Sequence, residues 1–332
     1  MSLRRCAVLA GLVASLALSS CGGSGADLTV YSGRNEELVG PLLERFERES
    51  GLEVEVRYGD SAELAATIAE EGGNSPADVF FSQDAGALGA VEDRLMRLPA
   101  PVLQAVPERF RDPDGRWSGV SGRARVIAYS TERLEEREVP DSVFALTQRR
   151  WRSRIGFPPS NASFQAFVSA MRLDVGDART RKWLEALQAN QPKRYENNTQ
   201  TMEAIARGEI DLGLVNHYYL YELSQENPGF PAANHYARRG DPGALINVAG
   251  VGILRTTERA ENARRLASYL VSHPAQRYFA DVTAEYPLVD GVRRRGELPP
   301  LEAVIGPQIR LGRLGDQLRS TLALLDAVGF TT

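Results

Sequence analysis

Cysteine is nearly absent from this chain. Of its 332 residues only Cys6 and Cys21 are cysteines, and both lie near the N-terminus. The body that follows can form no internal disulfide and no thiolate metal site, so its stability must come from an apolar core. Histidine is scarce as well: His217, His235 and His273 are the only three, which argues against a His-rich zinc site. The chain lacks a Gly-x-x-x-x-Gly-Lys-Ser/Thr phosphate loop, a His-Glu-x-x-His pair and a Gly-x-Ser-x-Gly elbow. Paired carboxylates such as Glu36 and Glu37 suit the first turn of a helix better than a general acid and base. Positive charge is not in excess. Formal net charge is −4, and loss of Arg4 and Arg5 with a leader makes it −6. A nucleic-acid binder would carry a basic face instead. After the N-terminal leader, no apolar run is long enough to cross a bilayer. Internal repeats are also missing.

What is present is ordinary globular composition, with 43% hydrophobic and 25% charged residues, in a chain long enough for two domains. The N-terminus reads as a targeting segment. Arg4 and Arg5 precede a short apolar run from Ala7 to Leu18, about the length of a signal core. Leu18-Ser-Ser-Cys21 then resembles a bacterial lipobox, in which small residues precede a cysteine that becomes lipidated. Gly22 to Gly25 would follow as a flexible tether. Cleavage to a soluble secreted protein is the other reading of the same segment.

The first part of the body alternates strands and helices. Leu28 to Tyr31 reads as a strand, and Asn35 or Ser32 could cap a helix with Leu38, Leu42, Leu43 and Phe46 on one face. Gly51 closes that helix. Val54, Val56 and Tyr58 form a second strand. A helix follows from about Ser61, with Leu64 and Ile68 inward. Asp78 to Ser82 is a third, apolar strand. This order implies parallel βαβ units in an open sheet. The loops at Arg34, Asp60 and Gln83 then share the rim where such sheets hold ligands. Leu98 to Trp117 reads as irregular. Arg123 to Tyr129 is a strand that could cross into a second lobe. Arg154 to Phe157 is a further strand. Ser163 is the expected N-cap of the next helix, and Asn197-Asn198-Thr199 caps another. Val248 to Leu254 could return to the first lobe. A last helix carries Leu314, Leu318, Leu322 and Leu325.

The chemistry concentrates where the strand Ile210 to Val215 ends, in Asn216-His-Tyr-Tyr219. Two adjacent phenols at a buried strand end must each find a partner. They are either surface aromatics at a helix start or two phenols that grip a hard cation, which prefers oxygen donors. Ordinary phenols ionise only near pH ~10, but a bound trivalent cation reverses that preference. Two phenolates leave an octahedral ion unfilled. The remaining positions could go to an anion, to water or to the opposite lobe. Helix starts at Ser163 and Thr199, with Asn161, Asn198 and Asn216, would hold an anion. Arg34 could pair with it or remain a solvated turn arginine. Arg123 and Arg125 could line the crossing or pair with surface carboxylates.

The combination of Val30-Tyr-Ser-Gly-Arg34, Ala77-Asp-Val-Phe-Phe81, Arg123-Ala-Arg-Val-Ile127, Ser163-Phe-Gln-Ala-Phe167, Glu196-Asn-Asn198, Gly208-Glu-Ile-Asp211 and Asn216-His-Tyr-Tyr219 resembles the ferric-ion-binding proteins of bacterial ABC importers. The resemblance runs over nearly the whole mature chain. It implies an α/β, two-lobed periplasmic-binding-protein fold, with the ligand cleft between the lobes and two hinge strands. The expected division is a leader at 1–20, a tether at 21–26, a first lobe at 27–122 plus 240–305, a second lobe at 123–239 and a helical segment at 306–332. The resemblance implies Fe3+ as cargo, with a synergistic carbonate or phosphate. Tyr218 and Tyr219 match the iron ligands. Asn198 and Asn216 match anion-binding positions, and the Asn161–Ser163 turn matches a loop that helps hold the anion. The implied partners are a membrane permease and its ATPase. The chain is expected to be a monomer outside the cytoplasm, anchored through Cys21. Two positions depart from the family pattern. Asn35 and Glu36 stand where many members carry histidine and tyrosine, and Gln83 stands where many carry a glutamate ligand. From the first lobe only Glu36 could then reach the metal. The same fold could instead bind an organic or phosphorylated solute.

Overall fold

The structure, a computed structural model, describes residues 25–330 apart from 297 and 305. The leader, Cys21 and most of the tether lie outside the described residues. Strand β1 (Leu28–Ser32) leads into helix α1 (Glu36–Ser50). Asn35 occupies the cap position without a side-chain capping bond, while the Ser32 hydroxyl accepts from the Arg34 amide at 3.2 Å. Val39, Leu42, Leu43 and Phe46 form the buried stripe, so Val39 takes the inward place expected for Leu38, which is half-buried. Gly51, at φ 72°, ends the helix by donating to the Glu47 carbonyl. Glycine takes that left-handed geometry without steric cost.

Strand β2 (Val54–Tyr58), helix α2 (Ser61–Glu71) and strand β3 (Val79–Ser82) complete two βαβ units. Both β2 and β3 run parallel to β1. The turns carrying Arg34, Asp60 and Gln83 therefore share one rim. There the Gln83 amide donates to Ser61 Oγ at 2.9 Å. Helix α3 (Ala85–Ala90), strand β4 (Leu95–Met96) and helix α4 (Ala100–Gln104) follow, so the stretch expected to be irregular contains a short helix.

Strand β5 (Trp117–Ser130) is buried along its whole length and begins before the expected Arg123. Beyond it come β6 (Ile155–Phe157), α5 (Ala162–Val175), α6 (Asp177–Ala189), β7 (Lys193–Arg194), α7 (Asn198–Ala206), β8 (Leu212–Asn216), α8 (Tyr218–Glu226) and β9 (Ala232–His235). The chain returns through β10 (Ile246–Leu254), α9 (Ala260–Leu270), α10 (His273–Asp281), β11 (Tyr286–Pro287) and α11 (Arg313–Ala327). Strand order is β2-β1-β3-β10-β5-β8-β6-β7. The first half of β5 pairs with β10 and its second half with β8 and β9. One strand thus belongs to both halves of the molecule. The return path is interrupted: β9 and β10 both pair with β5, with residues 236–245 between them.

Helix α11 touches both halves. Glycines let it approach α3 closely: a Cβ on Gly89 would collide with the Gly312 carbonyl, and one on Gly315 with the Gly86 carbonyl. On its other side, Arg172 of α5 donates to the Gln317 carbonyl at 3.1 Å and to Thr321 Oγ1 at 2.9 Å. The buried stripe of α11 is Leu314, Thr321, Leu324 and Leu325. Leu322, expected inward, is 38% exposed, because the polar Thr321 turns in to meet Ser169 at 2.8 Å.

Candidate functional site

The site begins at the end of β8. That strand is buried throughout, and its last residue, Asn216, pairs with Arg125 on β5. His217 fixes the turn that follows. Its Nδ1 accepts from the Ala124 amide at 3.1 Å, so its Nε2–H donates to the Ala284 carbonyl at 2.9 Å. Burial lowers its pKa to about 4, so the ring is neutral at pH 7. It clips the start of α8 to the crossing strand and to the turn before β11. Tyr218 and Tyr219 then open α8, with ring centroids 4.3 Å apart and planes tilted by 29°. Tyr218 is only 1% exposed. Burial, then the neighbouring Tyr219, pushes its phenol well above the usual range, while Arg34 and Arg123 pull the other way.

Three arginines converge on this pair. Arg34, on the β1–α1 turn, is 2% exposed and ion-paired with the buried Glu285, which also accepts from Ser121. Burial alone would lower the Arg34 pKa, but Glu285 and the tyrosines outweigh it and raise it. Arg125 donates to Ser163 Oγ at 3.2 Å and to the Leu214 carbonyl at 2.6 Å. It also lies over the Phe164 and Phe167 rings at 5.4 and 5.3 Å, a favourable cation–π placement.

Arg123 differs from both. It is 1% exposed, and its Nε, Nη1 and Nη2 have no hydrogen-bond partner among the described residues. Directly opposite it on β10 is Asn247. The Asn247 Oδ1 accepts from the Val248 amide at 2.8 Å, but its Nδ2 is likewise buried without a partner among the described residues. Opposed residues of an antiparallel pair share a face of the sheet. Two unmatched donors therefore point to one side, and one of them carries charge. A buried charge without hydrogen-bond partners is costly, so this pair of donors has the capacity to take an acceptor, best an anion.

A third group is neutral. Asn161, not Ser163, caps α5, because its Oδ1 accepts from the Ser163 amide at 3.0 Å and from Ser163 Oγ at 2.6 Å. Ser163 sits one residue inside the helix and presents its hydroxyl to Arg125. Asn198, fully buried, donates to Asn161 Oδ1 at 3.2 Å and to Ser163 Oγ at 3.5 Å. Asn197 caps α7 by accepting from the Gln200 amide. The structure thus brings Asn161, Ser163 and Asn198 together with Arg125, and Arg34 together with Tyr218 and Tyr219. It leaves Asn35 and Glu36 exposed. Glu36 faces Tyr58, whose phenol is pushed up to about 12 by burial first and by Glu36 next. Gln83 is half-buried on the rim.

Sequence reasoning did not single out Glu285, Asn247 or Glu222, and it left Arg123 undecided. Glu285 lies 251 residues from Arg34, so no local pattern links them. Arg123 did carry a signal: an arginine in the middle of an otherwise apolar strand needs a reason. Among the described residues, no group of three or more His, Cys, Asp or Glu side chains is placed to hold a metal. The hard donors gathered here are phenols.

A two-halved α/β molecule with a tyrosine pair, Tyr218 buried and Tyr219 half-buried, and converging arginines at the crossing has the form of a binding protein for a small solute. The comparisons place it. A model of the family of bacterial extracellular solute-binding proteins matches residues 74–302, and the chain belongs to that family. It is 32% identical over 311 residues to the major ferric iron-binding protein of Neisseria meningitidis, covering 91% of this chain and 93% of that protein. It is 29% identical to the Fe(3+)-binding periplasmic protein of Serratia marcescens, covering 87% of each. Among solved structures, iron-bound HitA from Pseudomonas aeruginosa superposes with a TM-score of 0.86 at 30% identity, covering 91% of this chain and 99% of that one. A Trichodesmium protein solved with iron and citrate ligands superposes with a TM-score of 0.80 at 28% identity, covering 91% and 99%. The two-lobed periplasmic-binding-protein fold expected from sequence is the fold observed.

Proposed function

We propose that this chain is an extracytoplasmic receptor that binds ferric iron through the phenolates of Tyr218 and Tyr219 together with an anion, and delivers it to an ABC permease driven by its ATPase. The reading takes Cys21 as a lipid anchor, residues 27–122 plus 240–305 as one lobe and 123–239 as the other. The observation that carries it is the stacked phenol pair, Tyr218 buried and Tyr219 half-buried, beside Arg123, a buried guanidinium with no hydrogen-bond partner among the described residues. The names of the relatives support iron as cargo.

The chemistry follows from charge. The Tyr218 phenol is neutral without metal, since burial raises it. A trivalent ion makes ionisation favourable, and the phenol protons leave as iron enters. Two phenolates leave the ion with residual positive charge. An anion neutralises that charge and occupies positions the protein does not fill. Arg123, with all three nitrogens unpartnered among the described residues, and Asn247 Nδ2 are the donors assigned to hold it, while Asn161, Ser163 and Asn198 form a hydrogen-bonded network that reaches Arg125. Arg34 already has Glu285. Its part is to keep positive charge beside the phenols and lower the cost of ionising them.

Exchanging Tyr218 for Phe tests the assignment. The variant should keep at most the weaker phenolate-to-iron band that Tyr219 alone gives, and should lose most of its affinity; an unchanged spectrum and affinity would refute Tyr218 as a ligand. A second reading, an organic or phosphorylated anion as the main cargo, is favoured by one observation. Where family members offer the metal a carboxylate or imidazole, this chain has the neutral Gln83 and the exposed Asn35. A colourless protein that retains a small anion in native mass spectrometry would support it.

A further inference from the structure

Glu222 is a half-buried glutamate, with one carboxylate oxygen fully buried, that the reading above does not use. It lies on α8, three residues after Tyr219 and four after Tyr218. At about 100° per residue it projects at an angle between the two tyrosines, one turn further along the helix. Helical side chains lean toward the N-terminus, so Glu222 leans back over the pair. Its Oε1 is buried and has no hydrogen-bond partner among the described residues. Burial first, and then Glu285, pushes its carboxyl up to about 7, while Arg34 draws it down. Tyr218 in turn feels the Glu222 charge. The carboxyl group therefore shares one buried field with Arg34, Glu285 and the Tyr218 phenol.

The neighbouring carboxylates are committed elsewhere. Glu285 holds Arg34 and Ser121. Asp84 caps α3 by accepting from the Ala87 amide at 3.0 Å. Glu36 is exposed on α1. Glu222 alone among these combines a buried, unused acceptor oxygen with a position on the tyrosine helix.

We propose that Glu222 is a third protein ligand of the ferric ion, so that α8 supplies two phenolates and a carboxylate from a single turn and a half. This inference rests on the ferric-iron reading. Three anionic oxygens match the ion's charge, and they compensate for the carboxylate that Gln83 does not provide. The anion at Arg123 then completes the coordination without having to neutralise the metal alone.

The test uses purified, iron-stripped protein titrated with ferric citrate in bicarbonate, alongside Glu222→Gln and Glu222→Asp. Glu222→Gln keeps the shape and removes the anionic donor. The ion then becomes a better acceptor of phenolate charge, so the visible band should move to longer wavelength. Iron should also pass to a competing chelator at a competitor concentration lower by at least the roughly 10-fold that losing even an outer partner of a metal site costs. Glu222→Asp, with a shorter reach, should fall between. Thermal midpoints of the iron-free variants within a few degrees of the parent would show that the fold is intact. An unchanged band and competition midpoint in Glu222→Gln would overturn the proposal. A weaker affinity with an unmoved band would also overturn ligation and leave Glu222 as a charge near the ion. A parent protein with no visible band would overturn the iron reading itself.

Discussion

The two sides of the candidate site solve different problems. The α8 side, with Tyr218, Tyr219 and the Asn161–Ser163–Asn198 network, is built of phenol, hydroxyl and amide groups linked by hydrogen bonds. The other side, built from the β1–α1 turn, the crossing strand and the turn before β11, is charged: Arg34 is ion-paired with Glu285, and Arg123 has no hydrogen-bond partner or ion pair among the described residues, with Glu285 and Asp84 as its nearby opposite charges. Donors for a hard cation are thus concentrated on one element, and the means of holding an anion lie on the crossing. Iron binding and anion binding should therefore be separable by mutation, and the predictions are ways to force that separation.

The largest effect is expected on the donor side. Tyr218→Phe should lower iron affinity by more than the roughly 10–100-fold typical of losing an outer partner of a metal site, measured by chelator competition. Anion binding to the iron-free protein should survive.

His217 joins the two sides, so breaking it should be felt as stability. His217→Ala leaves the Ala124 amide and the Ala284 carbonyl unmatched and should cost about 2–4 kcal/mol in urea unfolding. The parent should also respond to acid here. The folded-state pKa of His217 is depressed to about 4 from 6.5. Between those values the unfolded chain binds the extra proton and the folded one does not. The contribution is full above pH 6.5 and is lost as pH falls toward 4, amounting to roughly 3 kcal/mol. His217→Ala should flatten that part of the pH profile.

Arg123→Met acts on the charged side alone. It removes a buried cation without a partner, so the iron-free protein should be equally stable or up to about 4 kcal/mol more stable. Iron binding should lose its dependence on bicarbonate or phosphate. A destabilised variant with intact anion dependence would erase the distinction between the sides. The smallest effect is expected at Glu36. Exposed and facing Tyr58, Glu36→Gln should stay within about 0.5 kcal/mol of the parent in stability and leave iron affinity unchanged.

Much of this architecture was legible in the chain. Strand–helix alternation from Leu28 to Ser82 announced parallel units, and the apolar run before Asn216-His-Tyr-Tyr219 placed the phenols at a strand end. Boundaries failed where polar residues sit inside elements. Strand β5 runs back through Ser118, Ser121 and two glycines to Trp117, a stretch with little strand propensity, because β10 pairs with it along that whole length. Ser163 looked like a cap, but Asn161 is two residues earlier with the longer reach. The charged half of the site was hidden for a topological reason. Glu285, Asn247 and Arg123 meet only because the chain returns along β5, and nothing in their local sequence shows it. Glu222 carries no local signal either, because only the fold buries its Oε1.

The most direct measurement is a titration of iron-stripped protein with ferric citrate, first in bicarbonate and then in phosphate, followed across the visible range. The account predicts a strong phenolate-to-iron band that saturates at about one iron per chain, as two phenolates at a single trivalent site require, and whose position changes with the buffer anion. No band and no retained iron in either buffer would contradict it, leaving the two-lobed fold in place with a different cargo.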